Sequence, residues 1–137
     1  MISFTIPGEP TGKARPRVAQ GHAYTPQQTK NYEVRAALCW QAAARQGGGV
    51  FTGPVAVTIK AYYKMPQSTP KYKRAALALH PPEKKPDADN VAKIVLDALN
   101  GLAYADDKQV TRLLVSKHFA PYGESGFVAV TLEAAAC

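Results

Sequence analysis

Residues 84–110 read KKPDADNVAKIVLDALNGLAYADDKQV, and the kind of domain is decided in this stretch. Pro86 disfavours helix at Lys85, so residues 83–88 should be extended. Asp89 can then cap a helix, because a carboxylate accepts from the orphan amides of a first turn. Asn100-Gly101 supplies the stop, close after Leu99. Val91, Ile94, Val95, Ala98 and Leu102 fall along one side of this helix. Asn90, Lys93 and Asp97, at i, i+3 and i+7, share the other. The spacing predicts a helix with one packing face and one polar face.

Working outward, Val110 to Phe119 and Gly126 to Glu133 read as strands, with a turn at Pro121-Tyr122-Gly123. On the N-terminal side, Ile2, Phe4 and Ile6 alternate with Ser3 and Thr5, a short strand closed by Pro7. Residues 8–23 carry Gly8, Pro10, Gly12, Pro16 and Gly21 and read as a loop. Thr25-Pro26 starts a helix in which Tyr32, Ala36, Cys39, Trp40 and Ala43 recur at helical spacing, ending before Gly47. A strand follows from about Val55 to Tyr63. Ser68-Thr69-Pro70 leads into a helix from Tyr72 to Leu79, closed by His80-Pro81-Pro82. Strand, helix, strand, helix, helix, strand, strand predicts an α+β fold, with a small mixed β-sheet packed with helices in a single domain over residues 1–137.

The totals suit that reading. The 137 residues are 46% hydrophobic and 20% charged, as in an ordinary globular domain able to bury a core unaided. Seventeen Lys and Arg against ten Asp and Glu give a net charge of +7, which suits a polyanionic partner. Cys39 and Cys137 form no zinc framework and read as reduced thiols of a cytoplasmic protein. The N-terminus lacks the pattern of a signal peptide, and no apolar run suffices to span a bilayer.

All five aspartates of this cationic chain lie between positions 87 and 107. Asp87 and Asp89 are two apart in an extended stretch meeting a helix start, a spacing that places both side chains on one side. Asp106-Asp107 lies beyond the Asn100-Gly101 turn, where a chain reversal returns a carboxylate to the first pair. Three converging carboxylates suit magnesium, which also keeps waters and takes a substrate phosphate. Each residue also has an ordinary role: Asp89 as a cap, Lys93 and Asp97 as an i,i+4 surface pair, Asp106-Asp107 as turn residues. Those separate roles leave the clustering unexplained. A haloacid-dehalogenase reading of Asp87-Ala88-Asp89-Asn90-Val91 fails because no buried strand precedes it. An EF-hand fails at Ala92 and Ala98, where Gly and Glu are needed. His22, His80 and His118 lack metal-binding spacing.

Lys-Pro-Asp-Ala-Asp-Asn-Val-Ala-Lys, then Leu96-Asp97-Ala98-Leu99-Asn100-Gly101, then Asp106-Asp107-Lys108-Gln109-Val110 closely resembles the signature of RusA-type Holliday junction resolvases. These are small bacterial and prophage endodeoxyribonucleases of recombination and repair. Arg15-Pro16-Arg17 and the segment from Tyr24-Thr25 to Tyr32 resemble the family's N-terminal part. The resemblance implies catalytic, magnesium-binding roles for Asp87, Asp89 and Asp107, with manganese as a substitute cation. It implies a catalytic role for Lys93 and supporting roles for Asp97 and Asp106. It further implies a homodimer with an intersubunit sheet that makes paired symmetric nicks in a four-way DNA junction. Nucleases of flaps and forks, and a non-catalytic branched-DNA-binding protein, are the competing expectations. Lys13, Arg15 and Arg17 on a Gly/Pro-rich loop, and Lys84 and Lys85 before the Asp pair, are the expected phosphate contacts. Lys71, Lys73 and Arg74 beside Tyr72 form a second basic patch. The segment from Met65 to Pro82 is longer than in the most compact relatives of this type.

Overall fold

The computed structural model describes residues 1–14, 17–24, 26–47 and 49–135. Arg15, Thr25 and Cys137, named above as a phosphate contact, a helix cap and a thiol, lie outside them. Ile2–Pro7 forms β1, Arg17–Ala19 and His22–Tyr24 form β2 and β3, and Gln27–Gly47 forms α1. Val55–Tyr63 is β4, Lys71–Ala78 is α2 and Ala88–Leu99 is α3. A 3-10 turn at Asp107–Gln109 precedes β5, Val110–Phe119, and β6 spans Phe127–Ala134. The result is an α+β domain around a mixed sheet of order β1-β6-β4-β5. Only β4 and β5 run parallel.

Alternation along β4 sets the layers. Val57, Ile59, Ala61 and Tyr63 are buried, whereas Lys60 is exposed and Thr58 and Tyr62 are half-buried. The buried set shares one core with Tyr32, Ala36 and Trp40 of α1 and with Val91, Ala92, Ile94, Val95, Ala98 and Leu99 of α3. Both helices therefore cover the same face of the sheet. On the other face Tyr62 stacks between His118 and Phe127, with ring centroids 5.0 and 4.4 Å away.

The stretch expected to be loop over residues 8–23 contains the β2–β3 hairpin. Gln20 and Gly21, at φ 53° and 78°, make its tight turn. Strands of three residues are too short for hydrophobic alternation to reveal. The cap of α3 also differs from expectation. Asp87, not Asp89, occupies the cap position, and its carboxylate makes no capping hydrogen bond. Asp89 lies in the first turn, where the positive end of the helix dipole favours a carboxylate.

β5 is an edge strand. Its register with β4 aligns Leu113 with Val57 and Leu114 with Thr58, so the two leucines face opposite sides of the sheet. Yet they are 43% and 60% exposed. What they share is the unpaired edge.

The fold depends on α3 keeping its packing face. Ile94 is fully buried within the hydrophobic core. Ile94→Ala should cost about 2–5 kcal/mol in a urea unfolding titration, with little change in the slope of the transition.

Candidate active site

The segment entering α3 is fixed by a buried tyrosine. The Tyr63 hydroxyl at the end of β4 donates to the Pro86 carbonyl at 2.6 Å. Lys117 of β5 donates to the Lys84 carbonyl, and its ammonium lies 5.2 Å from the Tyr63 ring centroid. Lys84 approaches the same ring at 5.6 Å. The Lys85–Pro86 peptide is cis. Residues 84–87 are thereby held at the C-terminal ends of β4 and β5.

From the other side, the loop after β1 closes on the start of α3. The Lys13 amide donates to the Asn90 carbonyl at 3.2 Å. Gly12 permits that approach, because a Cβ there would stand 2.9 Å from Pro86 Cβ and 3.1 Å from Asn90 Cβ. Between loop and helix lies a cleft of about 440 Å³, with Thr11, Lys13, Lys85, Asp87 and Asn90 among its walls.

Asp87 and Asp89 are both exposed at this end of α3, and Lys93, one turn beyond Asp89, is exposed as well. The salt bridges among the described residues all go to Lys13. Its ammonium meets Glu33 at 2.8 Å and Asp97 at 3.2 Å. Burial alone would lower its pKa, but the hydrogen bonds it donates to Glu33 and Asp97, with their charges, outweigh burial and raise it. Lys13 thus ties α1 to α3, and Asp97 is paired with it rather than with Lys93. Lys84 and Lys85 are exposed beside Asp87. Arg17 begins β2.

Asp106 and Asp107 stand at the opposite end of α3. Asp106 caps the 3-10 turn, accepting from the Lys108 amide at 2.9 Å. That hydrogen bond first, and the bond from Asp107 second, hold its carboxyl below the usual range. Asp107 is pushed up, by its hydrogen bond with Asp106 above all and also by the charges of Asp106 and Asp97. Tyr104, whose hydroxyl donates to the Leu96 carbonyl at 2.9 Å, lies within the fields of both Asp107 and Asp97.

The chain reversal therefore returns Asp107 to Asp97, not to Asp87 and Asp89. Ten residues of helix separate Asp87 from Asp97, about 15 Å along the axis. Among the described residues, no three His, Cys, Asp or Glu side chains are grouped to hold a metal. The carboxylates of one chain do not fit a three-ligand magnesium site. Tyr63, Lys117 and the Lys13–Asp97 pair went unnoticed as site-building residues in the sequence. They act across 20 residues or more, and no local pattern announces them.

This α+β domain presents the exposed Asp87, Asp89 and Lys93 at one helix start of a cationic chain. The family comparison says to which proteins it is related. Residues 7–133 match the family model described as endodeoxyribonuclease RusA, and the chain belongs to the RusA family. It is also similar to the uncharacterized protein YqaN of Bacillus subtilis strain 168, with 39% identity over 127 residues. That match covers 87% of this chain and 88% of YqaN. No helix among the described residues is long and apolar enough to cross a membrane.

Tyr63 gives this site a readable alkaline limit. Burial first, then the charges of Glu9 and Asp87, push its phenol up to about 12. Between about pH 10 and 12 the unfolded chain loses this proton while the folded chain keeps it, so stability falls as pH rises. Tyr63→Phe should cost about 1 kcal/mol at neutral pH, from the lost bond to Pro86. It should also flatten the decline above pH 10 in denaturation measured across that range.

Proposed function

We propose that this protein is a magnesium-dependent endodeoxyribonuclease that resolves four-way DNA junctions by paired symmetric nicks. The observation that carries the reading is the pair Asp87 and Asp89, exposed and uncapped at the start of α3, in a member of the RusA family. Among the described residues neither carboxylate has a hydrogen-bond or salt-bridge partner, which leaves both available to a ligand. Magnesium, or manganese in its place, is the cation such hard oxygen donors suit. Lys93 shares the exposed face one turn on, where its ammonium can lie beside a phosphate. Lys84 and Lys85, with Arg15 and Arg17 of the N-terminal part of the sequence, would contact the DNA backbone. Lys13 enters that contact only by giving up Glu33 and Asp97.

The division of carboxylates between the two ends of α3 supports a homodimer. α3 runs antiparallel to β5. It begins beside Lys117 near the end of the strand and finishes beside Asp107, just before the strand begins. A second copy joined antiparallel along the free edge of β5 would cover Leu113 and Leu114 together and extend the sheet. The two-fold axis would then bring the Asp107 end of one copy towards the Asp87 and Asp89 end of the other. The three carboxylates that one chain keeps apart would meet between two chains. Two such sites related by a two-fold axis also match the symmetry of a four-way junction.

A labelled four-way junction incubated with the protein and magnesium should give symmetric nicks in opposed strands. Asp89→Asn should abolish them, with a loss of about a hundredfold or more, while junction binding in a gel shift persists. Faster cutting of flaps or forks than of junctions would overturn the substrate assignment, and binding without cutting would leave a branched-DNA-binding protein.

The dimeric arrangement has its own test. Asp89→Asn and Asp107→Asn chains, each inactive alone, should regain activity when refolded together. One site per mixed dimer is then intact, about a quarter of the wild-type number of sites. In parallel, chains bearing Asp87→Cys and Asp107→Cys in a Cys39→Ser/Cys137→Ser background should join through a short bis-maleimide without metal or DNA. A mixture that neither cuts nor cross-links would place all three aspartates in one chain's site.

A further inference from the structure

The chain between β4 and α3 forms an arm that buries Met65 and Thr69 near its start, while its helix gives nothing to the core. It leaves the sheet at Tyr63 and returns at Lys84, three residues before Asp87. Within it α2 buries none of its residues. Tyr72 is 79% exposed and Leu79 is 89% exposed. A helix of this length is marginal in water when it packs on nothing. Here it is held from one side only. Arg74 stacks 3.5 Å from the centroid of the Tyr122 ring and donates to the Thr69 carbonyl at 3.3 Å. Tyr122 in turn donates to the Gln67 carbonyl at 2.7 Å. These contacts order the base of the arm and leave its outer surface unpartnered.

That outer surface has a definite chemistry. Residues 64–82 include Lys64, Lys71, Lys73 and Arg74 and no Asp or Glu. An exposed aromatic ring flanked by Lys71 and Lys73, without internal counter-charges, complements an anionic chain that carries flat rings. The Lys73 ammonium lies 5.8 Å from the Tyr72 centroid, so cation and ring form one patch. Bases inside a duplex already stack on both faces. A protein aromatic finds a free base face only where the stack is interrupted, as at a branch point or in a single strand.

We propose that the α2 arm is a nucleic-acid contact in which Tyr72 stacks on a base exposed by an interrupted stack, while Lys71 and Lys73 hold the adjoining phosphates. The arm then contributes a preference for branched over continuous DNA from beside the carboxylate end of α3. Its place beside that site rests on the nuclease reading, but the contact itself does not require cleavage.

Tyr72→Trp provides the probe, because Trp40 is buried in the core and supplies a constant background. The DNAs are single-stranded oligothymidylate, an immobile four-way junction and a closed dumbbell duplex without ends, all in EDTA. Emission from the tryptophan at position 72 should be quenched by the single strand and the junction and not by the dumbbell. Tyr72→Ala should weaken single-strand and junction binding about tenfold and dumbbell binding by less than about twofold, with Tyr72→Phe unchanged. Equal quenching by the dumbbell, or no quenching by any DNA, would overturn the proposal. So would quenching by anionic lipid vesicles alone, which would make the arm a membrane contact. Wild-type nicking, assayed alongside, separates the two ideas. Quenching without nicking sinks the nuclease reading and keeps the arm's role, and nicking without quenching does the reverse.

Discussion

The apolar face of α3 positions everything that matters for chemistry here. Val91, Ala92, Ile94, Val95, Ala98 and Leu99 are all buried in the core shared with β4 and α1. Each large side chain removed from water stabilises the fold by roughly 1.5–3 kcal/mol. That burial sets the rotation of the helix, so Asp89, Asn90 and Lys93 must face solvent. It also sets its translation, because Tyr63 and Lys117 anchor one end while Tyr104 anchors the other. The polar face has no freedom to choose its neighbours. It faces whatever lies beyond the free edge of β5 and the cleft beside Pro86.

The direction of that helix has a further effect. Since α3 runs against β5, carboxylates close in sequence become separated in space, and Asp107 ends beside Asp97. Its hydrogen bond with Asp106 above all, and then the charges of Asp106 and Asp97, raise the proton affinity of Asp107. A cation or a neighbouring basic surface would offset those charges. Asp106 is spared by its cap to Lys108, which commits it to structure. Two adjacent, identical residues thus differ: the Lys108 amide holds Asp106 low, whereas the hydrogen bond with Asp106 pushes Asp107 up.

Much of this was legible in the sequence. The buried stripe of α3 follows from periodicity, since burial on one face requires it, and β5 matches its sequence reading although its burial does not alternate. The mixed α+β class follows from the order of elements. The motif residues from Asp87 to Asp107 carry the likeness to the RusA family in the sequence itself. Other features were hidden for physical reasons. The β2–β3 hairpin is shorter than one period of detectable alternation. The pairing of Lys13 with Asp97 depends on how a loop 84 residues away docks. The cap of α3 sits at Asp87 instead of Asp89, and cap positions two residues apart satisfy the same residue preferences. The return of Asp107 to Asp97 depends on helix direction relative to the sheet, which spacing does not encode.

The anchoring of the arm bears on how such proteins diversify. Its two ends are pinned by contacts that do not involve α2: the Glu9 carboxylate accepts from the Lys64 amide at 2.9 Å, and Lys117 holds the Lys84 carbonyl. Everything between those pins is an insertion whose closure entropy changes only slowly with length. The segment can be shortened, extended or exchanged while residues 84–87 stay in register with β5. The arm and the carboxylate end of α3 are therefore separable units of inheritance in this fold, and drift in the first leaves the second intact.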